Sequence, residues 1–258
     1  MPRCVFCNSQ ETMTVEHVLP QWIGDELQVK GGVETRKGPA GDHLYGSKEL
    51  SVELRKVCGT CNSGWMASLE GTARPILAPM MRNDGPAYLS VEDLALMGAW
   101  ATKTALLLEL ATASIRGPAY APESHFHAIF EQPDRPPDGV QVWLLAVNAH
   151  PERRLATSFG GWMEDTNHRP TGYFHTFHVG GLGFQVLGQT HDDRVADLPP
   201  LTVPTPVRPF LLDAWPTASP ASWPPEGIIM ELERLRILAG WPRTLIGQTP
   251  DELTPGPG

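Results

Sequence analysis

The chain has no apolar run behind its first basic residue: MPRCVFCNSQETMTVEH lacks the hydrophobic centre of a secretory leader. A cytoplasmic, reducing setting is therefore expected. It also lacks an unbroken apolar stretch of membrane-spanning length. The nearest candidate, Leu94 to Ala111, is interrupted by Lys103 and Glu109, and its apolar residues recur at helical spacing, which predicts a buried core helix. Positive charge is scarce. The formal net charge of −9 argues against a protein that coats nucleic acid through a general positive field. That deficit is local, because residues 1–80 hold 8 Lys+Arg against 9 Asp+Glu and the acidity falls almost entirely in residues 81–258. No internal repeat is present, so a solenoid is not expected.

Cysteine is rare as well, but its placement is informative. All four cysteines lie in the first 61 residues, as Cys4-x2-Cys7 and Cys58-x2-Cys61 separated by 50 residues. Two close pairs presented from two turns suit one tetrahedral zinc ion. Two disulfides are the alternative, and a reducing compartment disfavours them. The interval is longer than in simple zinc ribbons, so something is built into the loop.

Proline and glycine are plentiful, with 26 and 25 residues, and they divide the chain. Gly31-Gly32 through Gly41 to Gly46 is the glycine-rich middle of what reads as a small metal-stapled unit. Leu50 to Val57 reads as a short strand, with Val52, Leu54 and Lys56 alternating against Glu53, Arg55 and Val57. Ser63 to Leu77 has Trp65, Met66, Leu69 and Ala73 at helical spacing, a core stripe that Pro75 ends or kinks. Asn83-Asp84-Gly85-Pro86 is a turn and the expected boundary between residues 1–82 and 83–258. Ser90 and Asp93 form a capping-box start for the helix that follows. Short apolar runs at 140–147, 155–159, 173–179, 184–187 and 210–214 predict antiparallel strands. Residues 197–225 are too proline-rich to be regular throughout, and a last helix is expected over Glu226 to Ala239. His125 and His127 are expected to share a strand face, His175 and His178 to point to opposite faces, and Gly180-Gly181 to form a turn or bulge.

Between the cysteine pairs stands Glu16-His17-Val18-Leu19-Pro20, and Asn62 follows the last cysteine directly. C-x2-C, then E-H-x2-P, then C-x2-C-N resembles the HNH, or ββα-metal, endonucleases in their zinc-containing subgroup, over about residues 1–70. The resemblance implies a zinc-stapled ββα-metal module for that first part; with the strand and helix patterns of the remainder, the expected fold class is α+β, the module followed by a larger α+β domain of unknown role with antiparallel strands. It implies structural Zn2+ on Cys4, Cys7, Cys58 and Cys61. It implies His17 as the general base that activates water, a role suited to an imidazole near neutral pH. Glu16 and Asn62 match the ligands of a catalytic divalent cation, Mg2+ or another hard ion. The implied activity is phosphodiester hydrolysis of nucleic acid, DNA by analogy.

Two departures accompany the match. The family's middle asparagine, which orients the base, is missing, since no asparagine lies between Asn8 and Asn62. Asp42, His43, Glu53 or a backbone carbonyl is left for that role. The basic residue often found after the final ligand is replaced by Ser63-Gly64-Trp65, which passes phosphate contacts to Arg55 and Lys56, or to Lys30, Arg36 or Lys37. The alternative function is a non-catalytic zinc module that recognises nucleic acid or protein.

Overall fold

The computed structural model describes residues 2–27, 33–37, 43–47, 52–116, 119–148, 156–164, 170–189, 201–230 and 232–239. Strand β1 (Met13–His17) and strand β4 (Glu53–Cys58) form an antiparallel pair. Between them run helix α1 (Trp22–Leu27) and the hairpin β2 (Val33–Lys37) and β3 (His43–Ser47). The chain then enters α2 (Gly59–Cys61), a π-helical turn (Asn62–Met66) and α3 (Ala67–Arg82). Strand β5 (Ala87–Leu89) leads to the long helix α4 (Val91–Arg116) and to α5 (Glu123–Glu131). Strands β6 (Val140–Val147), β7 (Ala156–Glu164), β8 (Pro170–Val179) and β9 (Leu182–Gln189) follow. The described residues end with β10 (Leu212–Trp215), β11 (Ala221–Trp223), β12 (Ile228–Ile229) and α6 (Leu232–Ala239). The mixed α+β class and the antiparallel strands of the second part are as expected.

The main sheet has the order β10-β6-β9-β8-β7-β2-β3, with β12 also on β6. The glycine-rich stretch therefore contains a strand pair, and β2 lies parallel to β7, Val33 opposite Ala156. No strand was expected there, because five-residue strands with mixed polarity carry little periodic signal. One face of the sheet packs on α4 and α3. The other carries a second apolar cluster with Trp143, Phe174, Leu187 and, from α6, Leu235 and Leu238. Burial on both sides is why β6 and β9 are buried at every position. A single larger cluster runs from Cys4 and Phe6 through α3 and α4 to Trp223.

Helix α4 begins with the expected capping box: the Ser90 N–H donates to Asp93 Oδ2 at 3.0 Å and the Asp93 N–H to Ser90 Oγ at 3.1 Å. It is the helix among the described residues long and apolar enough to cross a membrane, yet 78% of that span is buried inside the protein. Helix α3 continues past Pro75 and Pro79 to Arg82, beyond the expected stop. Pro75 is exposed and Pro79 half-buried, so the carbonyls that lose partners face water, which satisfies them. Two further expectations are corrected. His125 and His127 lie on α5, not on a strand, and only His125 is buried. The last helix starts at Leu232 rather than Glu226, because Ile228–Ile229 instead pairs with β6.

On β8, side chains alternate as the strand period requires. His175 faces α4, where its Nε2 lies 2.7 Å from Glu109 Oε2, and His178 faces away and bonds through Nδ1 to the Gly180 carbonyl at 3.2 Å. Two cross-strand glycines make room for rings: a Cβ on Gly160 would stand 2.4 Å from His175 Cε1, and one on Gly188 2.2 Å from Tyr173 Cε1. Burial lowers both His125 and His178 to about 4, so both stay neutral inside.

Gly180-Gly181 is the expected turn, joining β8 to β9 with φ +56° at Gly180. It also anchors α3: the Gly181 N–H donates to the Met81 carbonyl at 2.8 Å, and a Cβ on Gly180 would meet that carbonyl oxygen at 2.3 Å. Gly180→Ala adds both a left-handed φ penalty and a backbone clash, and an expected loss of about 1–3 kcal/mol is readable as a lower urea midpoint. A midpoint equal to wild type would mean that the turn does not hold α3 to the sheet.

Candidate metal and catalytic site

The first cysteine pair sits on a tight turn. The Asn8 N–H donates to the Cys4 carbonyl and the Cys4 N–H to the Ser9 carbonyl, both at 2.9 Å, while Asn8 takes φ 59°, a conformation asparagine tolerates. The turn hangs on β4 through the Val5 N–H, 3.1 Å from the Lys56 carbonyl. The second pair straddles the strand-to-helix junction, where Cys58 caps α2 and its Sγ accepts the Cys61 N–H at 3.4 Å. The Cys58 N–H reaches across to Cys4 Sγ at 3.4 Å.

All four sulfur atoms lie within 4.8 Å of one another, and Cys7 Sγ is 3.6 Å from Cys58 Sγ. None forms a disulfide. Two thiolates bound at ~2.3 Å to one tetrahedral ion stand about 3.8 Å apart, so the spacing fits a shared metal ion. The electrostatics fit too. Burial raises the Cys4 thiol, but the N–H groups of Cys7, Cys58 and Phe6 outweigh it and bring the thiol to about 7. Burial pushes the Cys58 and Cys61 thiols up. A cluster in which burial keeps thiols protonated is one that a metal ion deprotonates on binding. Phe6, fully buried, packs edge-on against Trp65 at 5.1 Å and against Phe126 of α5 at 5.6 Å, while Met66 and Leu69 are buried. The stripe at Trp65 is core, as expected.

The strand pair beside this cluster carries the other candidates. Thr14 opposes Val57 and Glu16 opposes Leu54, so Arg55 and Lys56 together stand against Val15 alone. This is a β-bulge, and it resets the alternation: Leu54 and Val57 both point inward, and Arg55 and Lys56 are both exposed. The simple alternation expected for this strand stops there. Adjacent strand residues project to opposite faces. Glu16 thus turns inward with Leu54, and His17 turns outward with Glu53, its register partner.

On the outer side, Glu53 Oε1 is 3.9 Å from His17 Nδ1. The Gln21 side-chain nitrogen lies 3.0 Å from His17 Nε2. An amide nitrogen only donates, so as placed Nε2 accepts and the ring proton belongs on Nδ1, toward Glu53. Among the described residues, Glu53 stands near His17 and can take the missing asparagine's role. Asp42 and Lys30, with the side chains of His43, Arg36 and Lys37, lie outside the described residues.

On the inner side, Asn62 donates through Nδ2 to Thr14 Oγ1 at 3.0 Å and to the Val15 carbonyl at 2.9 Å. A carbonyl only accepts, which fixes the amide orientation and leaves Oδ1 without a hydrogen bond among the described residues. The same two bonds clamp the first turn of the π-helix to β1 next to Glu16. Glu16 is 5% exposed, and no hydrogen bond or ion pair reaches its carboxylate from any described residue. Burial raises it from an ordinary 4.5 to about 7; the Lys103 charge works against that rise and the Glu70 charge adds to it. Glu70 and Lys103 escaped sequence reasoning. Glu70 is one exposed-looking acid on a helix, and Lys103 looked like an interruption of an apolar run.

No family profile, no curated protein and no solved structure matches the chain.

The Glu16 shift has a defined sign. The folded chain holds this proton more tightly than the unfolded chain, so ionisation opposes folding and stability is lost as pH rises from about 4.5 to about 7, by about 3 kcal/mol in all. Glu16→Gln removes that slope. In buffer without divalent cation, its stability advantage over wild type is expected to widen by about 2 kcal/mol between about pH 5.5 and pH 8, measured by urea unfolding. A constant difference would show that the carboxylate does not ionise against burial.

Proposed function

We propose that the chain is a metal-dependent nuclease of the HNH type that hydrolyses phosphodiester bonds in nucleic acid, with DNA as its substrate. The observation that carries this reading is Glu16: a buried carboxylate with no partner among the described residues, beside Asn62, on a two-stranded antiparallel pair whose second strand runs directly into a helix next to four clustered cysteines. Strand β1, strand β4 and the helix after it support a ββα-like reading, with α1 and the β2–β3 hairpin inserted between the two strands. An unpartnered carboxylate and a free amide oxygen are hard donors suited to Mg2+ or a similar ion, which supplies charge stabilisation at the leaving oxygen when bound.

His17 takes the proton from the attacking water on Nε2, the nitrogen that Gln21 touches, while Glu53 faces the opposite nitrogen and steadies the ring. Arg55 and Lys56, brought together on the exposed side by the bulge, contact substrate phosphates. Zinc on the four cysteines closes the 50-residue interval and keeps the Glu16-His17 strand against the Asn62 helix. DNA rather than RNA rests on the resemblance to HNH nucleases.

Two measurements test the proposal. Purified protein is expected to contain one zinc per chain, and Cys61→Ser to lose it together with the cooperative unfolding of residues 2–82. Elemental analysis and hydrogen exchange read both, and a metal-free protein of full stability would refute the assignment. Supercoiled plasmid is expected to be nicked or linearised with Mg2+ or Mn2+, to survive in their absence, and to survive His17→Ala, which keeps zinc and fold. Equal behaviour of wild type and His17→Ala across cations, on DNA and on RNA, would favour a non-catalytic zinc module for recognition.

A further inference from the structure

The corner that leaves β1 places one more side chain on His17. Val18, Leu19 and Pro20 are all buried, and the Val18 N–H donates to the Val52 carbonyl at 2.9 Å, which pins the corner to the chain entering β4. Helix α1 follows at once, held by Ile23, which is fully buried and donates its N–H to the Pro20 carbonyl at 3.1 Å. This fixed corner brings Gln21 back to β1, where its amide nitrogen lies 3.0 Å from His17 Nε2. Gln21 itself is exposed, so its side chain can turn aside without disturbing the buried residues around it.

The contact occupies the atom that the reaction needs. A neutral imidazole offers one lone pair, on the nitrogen without a proton. As placed, that nitrogen is Nε2, and the Gln21 amide fills the position from which a water molecule would give up its proton. Amide and water cannot both hold it. On the same strand pair Arg55 and Lys56 are exposed, two and three residues beyond Glu53, the register partner of His17.

We propose that Gln21 caps the general base in the free chain and exchanges that contact for a phosphate oxygen of the nucleic acid, so that the substrate itself uncovers Nε2. The inference rests on the nuclease reading of His17. A hydrogen bond to an ionised phosphate is stronger than one to a neutral ring nitrogen, which gives the exchange its direction. A side-chain amide suits the task, because it donates to phosphate and carries no charge of its own to repel the strand.

The test compares wild type with Gln21→Ala as zinc-loaded full chains. The first measurement needs no activity: the rate at which diethyl pyrocarbonate acylates His17, followed by mass spectrometry at mildly alkaline pH, where imidazoles are neutral. Gln21→Ala is expected to be acylated about fivefold faster, because its Nε2 is uncovered. The second is plasmid cleavage with Mg2+, in which Gln21→Ala is expected to raise KM about fivefold to tenfold without lowering kcat, since the phosphate contact is lost and the base stays open. Equal acylation rates would show that Gln21 does not cover the ring, and an unchanged or lower KM that it does not reach phosphate; either overturns the proposal. If acylation differs but wild type cuts neither DNA nor RNA, the nuclease reading has failed and the exchange falls with it.

Discussion

Residues 97–109 of α4 are buried without a break, which no amphipathic helix permits, and two of them are ionisable. A charge left alone there costs several kcal/mol. The surrounding structure is arranged around that cost. Lys103 is met by Glu70 from α3, and Glu109 by His175 from β8 and by the Tyr120 N–H at 2.7 Å. Each bond fixes one neighbour of α4 at a set height along it. An apolar surface lets a helix slide or rotate with little penalty, but a buried ion pair holds one register. The first helix unit and the large sheet are thereby located against the same rod by buried polar contacts, while apolar burial supplies the driving force.

A second constraint is topological. Strands β1 and β4 are neighbours in space but are separated in the chain by α1 and by a hairpin that belongs to the main sheet. Closing such an interval costs entropy that a two-stranded pair cannot repay. The four cysteines supply a closure point at one end of the pair. Arg74 and Arg82 of α3 supply another, since both reach Glu26 of α1. The bulge on β4 follows from the same demands. Without it Val57 would face solvent; one extra residue turns Val57 inward and sets Arg55 and Lys56 side by side outside.

Much of this is legible in the residues alone, and the exceptions have physical causes. The cysteine spacing identified the cluster because metal geometry demands close pairs from distant turns. The capping box of α4 and the strand at 140–147 were readable because short-range rules govern them. The β2–β3 hairpin was not, because its partner β7 lies more than a hundred residues away and parallel pairing leaves no local mark. Ile228–Ile229 was read as helix because two apolar residues fit either period, and tertiary pairing with β6 decided between them. At the site, Glu16, His17 and Asn62 were legible as a pattern. Glu53 was one of several possible partners, and the strand register that sets it opposite His17 is not visible in the sequence. Glu70 and Lys103 were invisible because their importance comes from burial against each other, a property of packing rather than of order.

The disagreement between stability and position at Glu16 is itself informative. A strand residue turned toward a core is normally apolar, and here Leu54 beside it is. Placing a carboxylate there raises its proton affinity through desolvation and leaves it without a hydrogen bond, so the folded chain bears a cost that glutamine or leucine would avoid. The same sheet pair contains outward positions where a carboxylate is free of that cost, and Glu53 occupies one of them. The carboxylate is largely desolvated and has no hydrogen bond or ion pair from any described residue, so a cation bound there would offset that cost. Binding would return the energy that folding lost at this position, so the chain would be most stable in the state in which it is loaded. On the nuclease reading proposed above, the acid at position 16 is explained by the cation it would hold rather than by what it packs against.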